Sequence, residues 1–220
     1  MKSVWALLSK DILLEWRQRY ALNGMLLYVV STVFVVYMSF KLKVANIEPI
    51  TWNTLFWIIL LFTAVNAITK SFTQERSGRL IYYYTIVNPQ AVIIAKITYN
   101  SLMLIVLGLI GLIIYATMMG NPIQDLPLYL FSVILGAIGF AATLTIIAGI
   151  ASKADNTATL MAVLSFPILL PMLLMLMRLS KNAMDGLARN VSYDEIITIV
   201  AIDGIVVALS YLLFPYLWRS

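Results

Sequence analysis

The sequence predicts an all-α membrane protein, six transmembrane helices preceded by an amphipathic interfacial helix, and three observations carry that expectation. Of 220 residues, 62% are hydrophobic and only 11% are charged, a balance that excludes a soluble domain of this length. Stretches 21–40, 49–69, 97–124, 126–152 and 156–177 contain no Asp, Glu, Lys or Arg, and 196–218 is interrupted only by Asp203. Each supplies the ~20 residues that cross a ~30 Å hydrocarbon core. Backbone groups in lipid must pair within a helix or a closed barrel, and barrel strands would be shorter and alternating in polarity. The chain, 1–220, therefore reads as a single membrane domain.

Residues 1–20 carry Lys2, Lys10, Asp11, Glu15, Arg17 and Arg19, too many charges for a span. Trp5, Leu8, Ile12 and Trp16 recur on one helical face, which suits a helix lying in the interface. A plain anchor and a helix with a coupling role fit this segment equally. A cleaved signal peptide would need a continuous apolar centre and a small-residue cleavage site, and neither is clean here, so the N-terminus is expected to stay in the mature protein.

Spans are expected near 21–40 and 50–69. The following stretch, FTQERSGRLIYYYTIVNPQAVIIAK at 72–96, sets charge, a glycine, three tyrosines and a proline between apolar runs. Residues 70–96 suit a short surface helix, a turn and the approach to the next span, which is the form of a segment that receives work from a separate motor.

Spans near 97–119 and 127–151 contain Gly108 with Gly111 and Gly136 with Gly139, small-residue patches that let helices approach closely. The span near 157–177 holds Pro167 and Pro171, four residues apart, and each proline deletes a backbone hydrogen bond, so a kinked or broken helix is expected. In the last span, near 196–217, Asp203 stands seven residues past Ile196, ~10 Å along the helix. That position favours a carboxylate close to the outer interface, hydrated or paired with Arg178, over a proton or substrate site.

Lysine and arginine set the orientation. One side receives Lys2, Lys10, Arg17, Arg19, Lys70, Arg76, Arg79, Lys96, Lys153 and Arg219, and the other receives Lys41, Lys43, Arg178, Lys181 and Arg189. Ten basic residues against five predict both termini and the 70–96 segment in the cytoplasm. The net charge of +5 is then an orientation signal and implies no nucleic-acid partner.

The chain has no histidine and no cysteine, the residues on which tight transition-metal and haem sites usually draw, so no cofactor or metal bound by this chain is expected. No glycine is followed by the Lys and Ser/Thr of a phosphate-binding loop, so ATP-driven work would need ATP on a partner subunit. An acid–base site would want paired carboxylates or a nucleophile with its base, whereas Asp203 stands alone in its span, so no catalytic residues and no enzymatic activity are expected.

Glu75-Arg76-Ser77-Gly78, then Pro89, Lys96 and Asn100, and the Pro167/Pro171 pair before a Met- and Leu-rich run make the chain resemble the CcmB family. That family is the permease subunit of the ABC-type haem exporter complex of cytochrome c maturation. The resemblance covers nearly the whole chain. The first cluster is shared with other ABC exporter permeases, and its combination with the length and the two prolines narrows it. One departure is Ile81, where many relatives carry an acidic residue, and Arg79 makes the loop more basic.

The resemblance implies an ABC exporter permease fold in the bacterial inner membrane, with two copies per complex. Partners would be a nucleotide-binding A component, a haem-handling membrane C component, a small accessory peptide and a haem chaperone whose loaded form is released by ATP hydrolysis. Haem would be handled by the partner subunits. Glu75, Arg76 and Gly78 would meet the ATPase, Arg79 would add charge complementarity, and Pro89 would break the docking helix before the third span. Pro167 and Pro171 would shape the moving helix. A drug, lipid or polysaccharide exporter and a non-transporting scaffold are the alternatives the sequence leaves open.

Overall fold

The computed structural model describes residues 2–18, 20–41, 47–73, 88–151 and 157–219. Among them run α1 (Lys2–Gln18), α2 (Tyr20–Lys41), α3 (Pro49–Thr73), α4 (Pro89–Met119), α5 (Leu126–Ala151), α6 (Thr157–Met184) and α7 (Tyr193–Arg219), with a 3-10 turn at Arg189–Ser192. No strand occurs among the described residues. Helices α2 to α7 each contain a stretch long and apolar enough to cross a membrane. The helices alternate in direction, so α1, the starts of α2, α4 and α6 and the last turns of α3, α5 and α7 lie at one end of the bundle, the terminal end. The last turns of α2, α4 and α6 and the starts of α3, α5 and α7 lie at the far end.

Helix α5 is the axis of the bundle: 19 of the 26 residues of Leu126–Ala151 are buried, against 17% of Asn23–Phe40 in α2. Its small residues explain why. A Cβ on Gly136 would lie 2.6 Å from Trp57 Cζ3 and 3.1 Å from Leu176 Cδ1, and one on Gly108 would lie 3.2 Å from Val133 Cγ1. These patches are therefore the close helix approaches that lipid-embedded packing requires.

Helix bounds differ from the uncharged windows where charge is tolerated. α4 begins at Pro89, so Lys96 lies two turns inside it. α6 continues past Arg178 to Met184, with Lys181 and Asp185 paired one turn apart beyond the apolar stretch. α7 starts at Tyr193 with Asp194 and Glu195 in its first turn, where negative charge complements the helix dipole. α6 is unbroken through Pro167 and Pro171. Both prolines are exposed, while Leu169, Met172 and Leu176 are buried, so the lost hydrogen bonds lie along a face that carries little packing.

Candidate functional site

At the terminal end, the start of α4 is fixed locally. Asn88 caps it, its Oδ1 accepting from the Gln90 N–H at 3.0 Å, and Pro89 occupies the first turn, where its missing N–H leaves nothing unpaired. Two turns on, Lys96 is buried with its Nζ 3.9 Å from Asp11 Oδ2 of α1, and Lys10 Nζ lies 3.0 Å from Asp11 Oδ1. One further turn along α4, Asn100 Nδ2 donates to Thr145 Oγ1 of α5 at 2.8 Å, both side chains buried.

The 3.6-residue period puts Lys96 and Asn100 on one face of α4. That face thus links α1 to the axial helix. α1 packs chiefly on α4, burying Leu8 and Asp11 and leaving Trp5, Ile12 and Leu13 exposed. It is amphipathic in a divided way: one flank serves the bundle, and the other is apolar surface suited to the bilayer interface. A displacement of the α4 start would be carried to α1 through charge and to α5 through the amide.

The far end is built differently. Trp52 lies 4.6 Å from Tyr115 between ring centroids, Phe56 meets Trp57 edge-on at 5.7 Å, and Trp57 meets Phe140 edge-on at 6.2 Å. The polar tips of these rings are satisfied. Trp57 Nε1 donates to Ser180 Oγ at 2.8 Å, Tyr115 Oη to the Trp52 carbonyl at 3.0 Å, and Tyr129 Oη to Asn53 Oδ1 at 3.2 Å. Trp52 Nε1 donates to the carbonyl of Gly120, a residue at φ +84°. Asp125 caps α5 through the Leu128 N–H and takes two hydrogen bonds from Arg189, at 2.9 and 3.2 Å. The Arg189 hydrogen bond, then the Leu128 N–H, hold its carboxyl below the ordinary carboxylate range.

Asp203 departs from expectation. It is 7% exposed and lies against Gly139, where a Cβ would overlap its Oδ1 and the Met172 sulfur. Arg178 is exposed and forms no ion pair with it among the described residues. Asp203 packs against Gly139, thirteen residues past the start of α5 at Leu126, so it lies level with the middle of the axial helix and not with its end.

Glu75, Arg76, Gly78 and Arg79 lie outside the described residues. Pro89 is at the start of α4, Pro167 and Pro171 are on the outer face of α6, and Asp203 faces α5, so these four do not form one site. The sequence reading named Asp11 as one of the charges of residues 1–20 and Asn100 as part of the family pattern but gave neither a partner, and it passed over Thr145. The available signal was Asn100 one turn after Lys96 in an otherwise apolar helix. No group of three His, Cys, Asp or Glu that could hold a metal ion occurs among the described residues.

Six long apolar helices, with α5 at their centre and an amphipathic helix tied to one end, define a multi-pass helical membrane protein. A family model described as CcmB protein matches residues 2–216, and the chain belongs to the CcmB family. Membership implies the role of an ABC permease in cytochrome c maturation, a non-catalytic transporter component that works with an ABC ATPase. No curated protein and no solved structure matches the chain.

Proposed function

We propose that the chain is the mechanical membrane subunit of the cytochrome c maturation transporter, in the bacterial inner membrane with both termini cytoplasmic. Two copies stand in each complex. Segment 70–96 receives the A-component ATPase through Glu75, Arg76, Gly78 and Arg79, and ATP hydrolysis there drives haem delivery or release of the haem-loaded periplasmic chaperone. Haem, the cargo, is ligated by the C component, since this chain has no His or Cys to offer it. The small accessory peptide completes the complex.

The observation that carries this reading is the Asp11–Lys96 pair continued by Asn100–Thr145. It joins α1, α4 and α5 at the end where the ten-to-five bias in basic residues favours the cytoplasm. A push on the segment before Pro89 would thus reach the axis of the bundle.

The chain is free of cysteine, so single cysteines test the arrangement directly. At Ser77 and Lys153 they are expected to label only from the cytoplasm, and at Asn46 and Asp185 only from outside. Labelling of position 77 from outside intact cells would overturn the orientation. Reversing Glu75 and Arg76 together, to Lys and Glu, is expected to weaken ATPase association while membrane insertion is kept. Unchanged recruitment and full cytochrome maturation would reduce the segment to a solvated connection.

A further inference from the structure

An open groove of about 740 Å³ runs between α4, α5 and α7. Ile94, Leu135 and Ile138 make one wall, and Asp203, Gly204 and Ala208 of α7 make the other. Asp203 is the charged residue of this otherwise apolar lining. It is more than nine-tenths buried, and its Oδ1 has no hydrogen-bond partner among the described residues. A carboxylate in the span is costly unless something pairs with it.

Beside it, Ala201, Gly204 and Ala208 form an exposed stripe of small residues at helical spacing. A Cβ built on Gly204 meets nothing within 4 Å, so this glycine is not explained by packing within the chain. Small residues one turn apart, open to the lipid, are what lets another helix approach an α-helical backbone closely.

We propose that this groove seats a transmembrane helix of a different subunit, one that carries a lysine or arginine level with Asp203. Complementarity selects the occupant. A lipid tail brings no hydrogen-bond donor to mid-membrane. A second copy of this chain, docking through the same face, would set Asp203 against Asp203, and no Lys or Arg occurs in its stretches 97–151 or 190–218. Its buried Lys96 is already paired with Asp11. Oδ1 is turned onto Gly139 inside the bundle, so a basic residue on a foreign helix meets the carboxylate from its groove edge, and the small stripe supplies the approach. The proposal rests on the residues of the groove and not on the ATPase-coupling reading.

The test places a diazirine-bearing amino acid at Ala208 in the full chain, in the membranes of cells that assemble the complex. The expected product is a light-dependent adduct with another polypeptide, its joined peptide falling in a membrane span within one turn of a Lys or Arg. The Cβ of Gly204→Leu enters open space, so the variant obstructs the seat, and it is expected to lower the adduct about tenfold. Asp203→Leu is expected to do the same, with Asp203→Asn retaining part of the adduct. Adducts with lipid alone or with a second copy of this chain would overturn the proposal, as would a joined span without a basic residue or an adduct indifferent to Gly204→Leu.

Discussion

The two ends of the bundle are held by different chemistry. At the far end, the rings of Trp52, Trp57, Tyr115 and Tyr129 interlock across α3, α4 and α5, and Ser180 ties in α6. Such contacts are short-ranged and fix orientation, because a displaced ring loses both its packing and the partner of its N–H or O–H. At the terminal end, α1 is held to α4 through the Asp11–Lys96 pair, a link whose attraction survives a shift of an ångström and which long side chains can follow. The difference suits a lever: one end resists rearrangement, and the end beside the proposed ATPase contact transmits it.

The largest effect is expected from Trp57→Ala. The ring is fully buried, wedged against Gly136 and Phe140 and bonded to Ser180, and its loss is expected to cost about 3–5 kcal/mol in unfolding of the purified protein in mild detergent. Gly136→Leu attacks the same contact from the other side and is expected to destabilise in parallel. If Trp57→Ala cost no more than a change at the terminal end, the contrast between the two ends would collapse.

A smaller and more local effect is expected from Asp11→Ala, about 1–3 kcal/mol, because it removes the carboxylate facing a buried lysine. The readout that separates a link from a bystander is accessibility. Leu8→Cys is expected to be protected from labelling in the otherwise wild-type chain and to label several-fold faster when Asp11→Ala is added. The ATPase activity of the assembled complex is expected to lose its response to the permease in the same variant. Protection of position 8 in both backgrounds would show that α1 is held by its apolar contacts alone.

The smallest effect belongs to the solvent-exposed Asp125–Arg189 pair. Hydrogen bonding holds the folded carboxyl below its ordinary value of 3.8. The stabilisation is therefore complete above the unfolded value and is lost as pH falls through the depressed folded value. Thermal midpoints are expected to drop on acidification a little more in wild type than in Arg189→Ala, the modest size reflecting solvent screening. Identical acid profiles would remove this pair from the account of the far end.

The helical class and the presence of six apolar helices were legible in the sequence, because uncharged runs of this length have no other stable form in lipid. The small-residue patches were legible too, as were the charges that resist burial. What the chain could not disclose is how the helices turn toward one another. Almost every face of α5 is apolar, so periodicity does not mark which neighbour it meets, and its place at the centre follows from Gly136 and Gly139 accepting Trp57 and Met172. Lys96 reads in sequence as the edge of a span, and only the docking of α1 puts Asp11 beside it and carries α4 on to Pro89. Asp203 reads as an interfacial acid until its contact with Gly139, midway along α5, sets its level. Sequence determines which segments leave water, since transfer into lipid depends on each residue's own polarity; pairing among the buried groups depends on distances between helices, and those exist only once the bundle is packed.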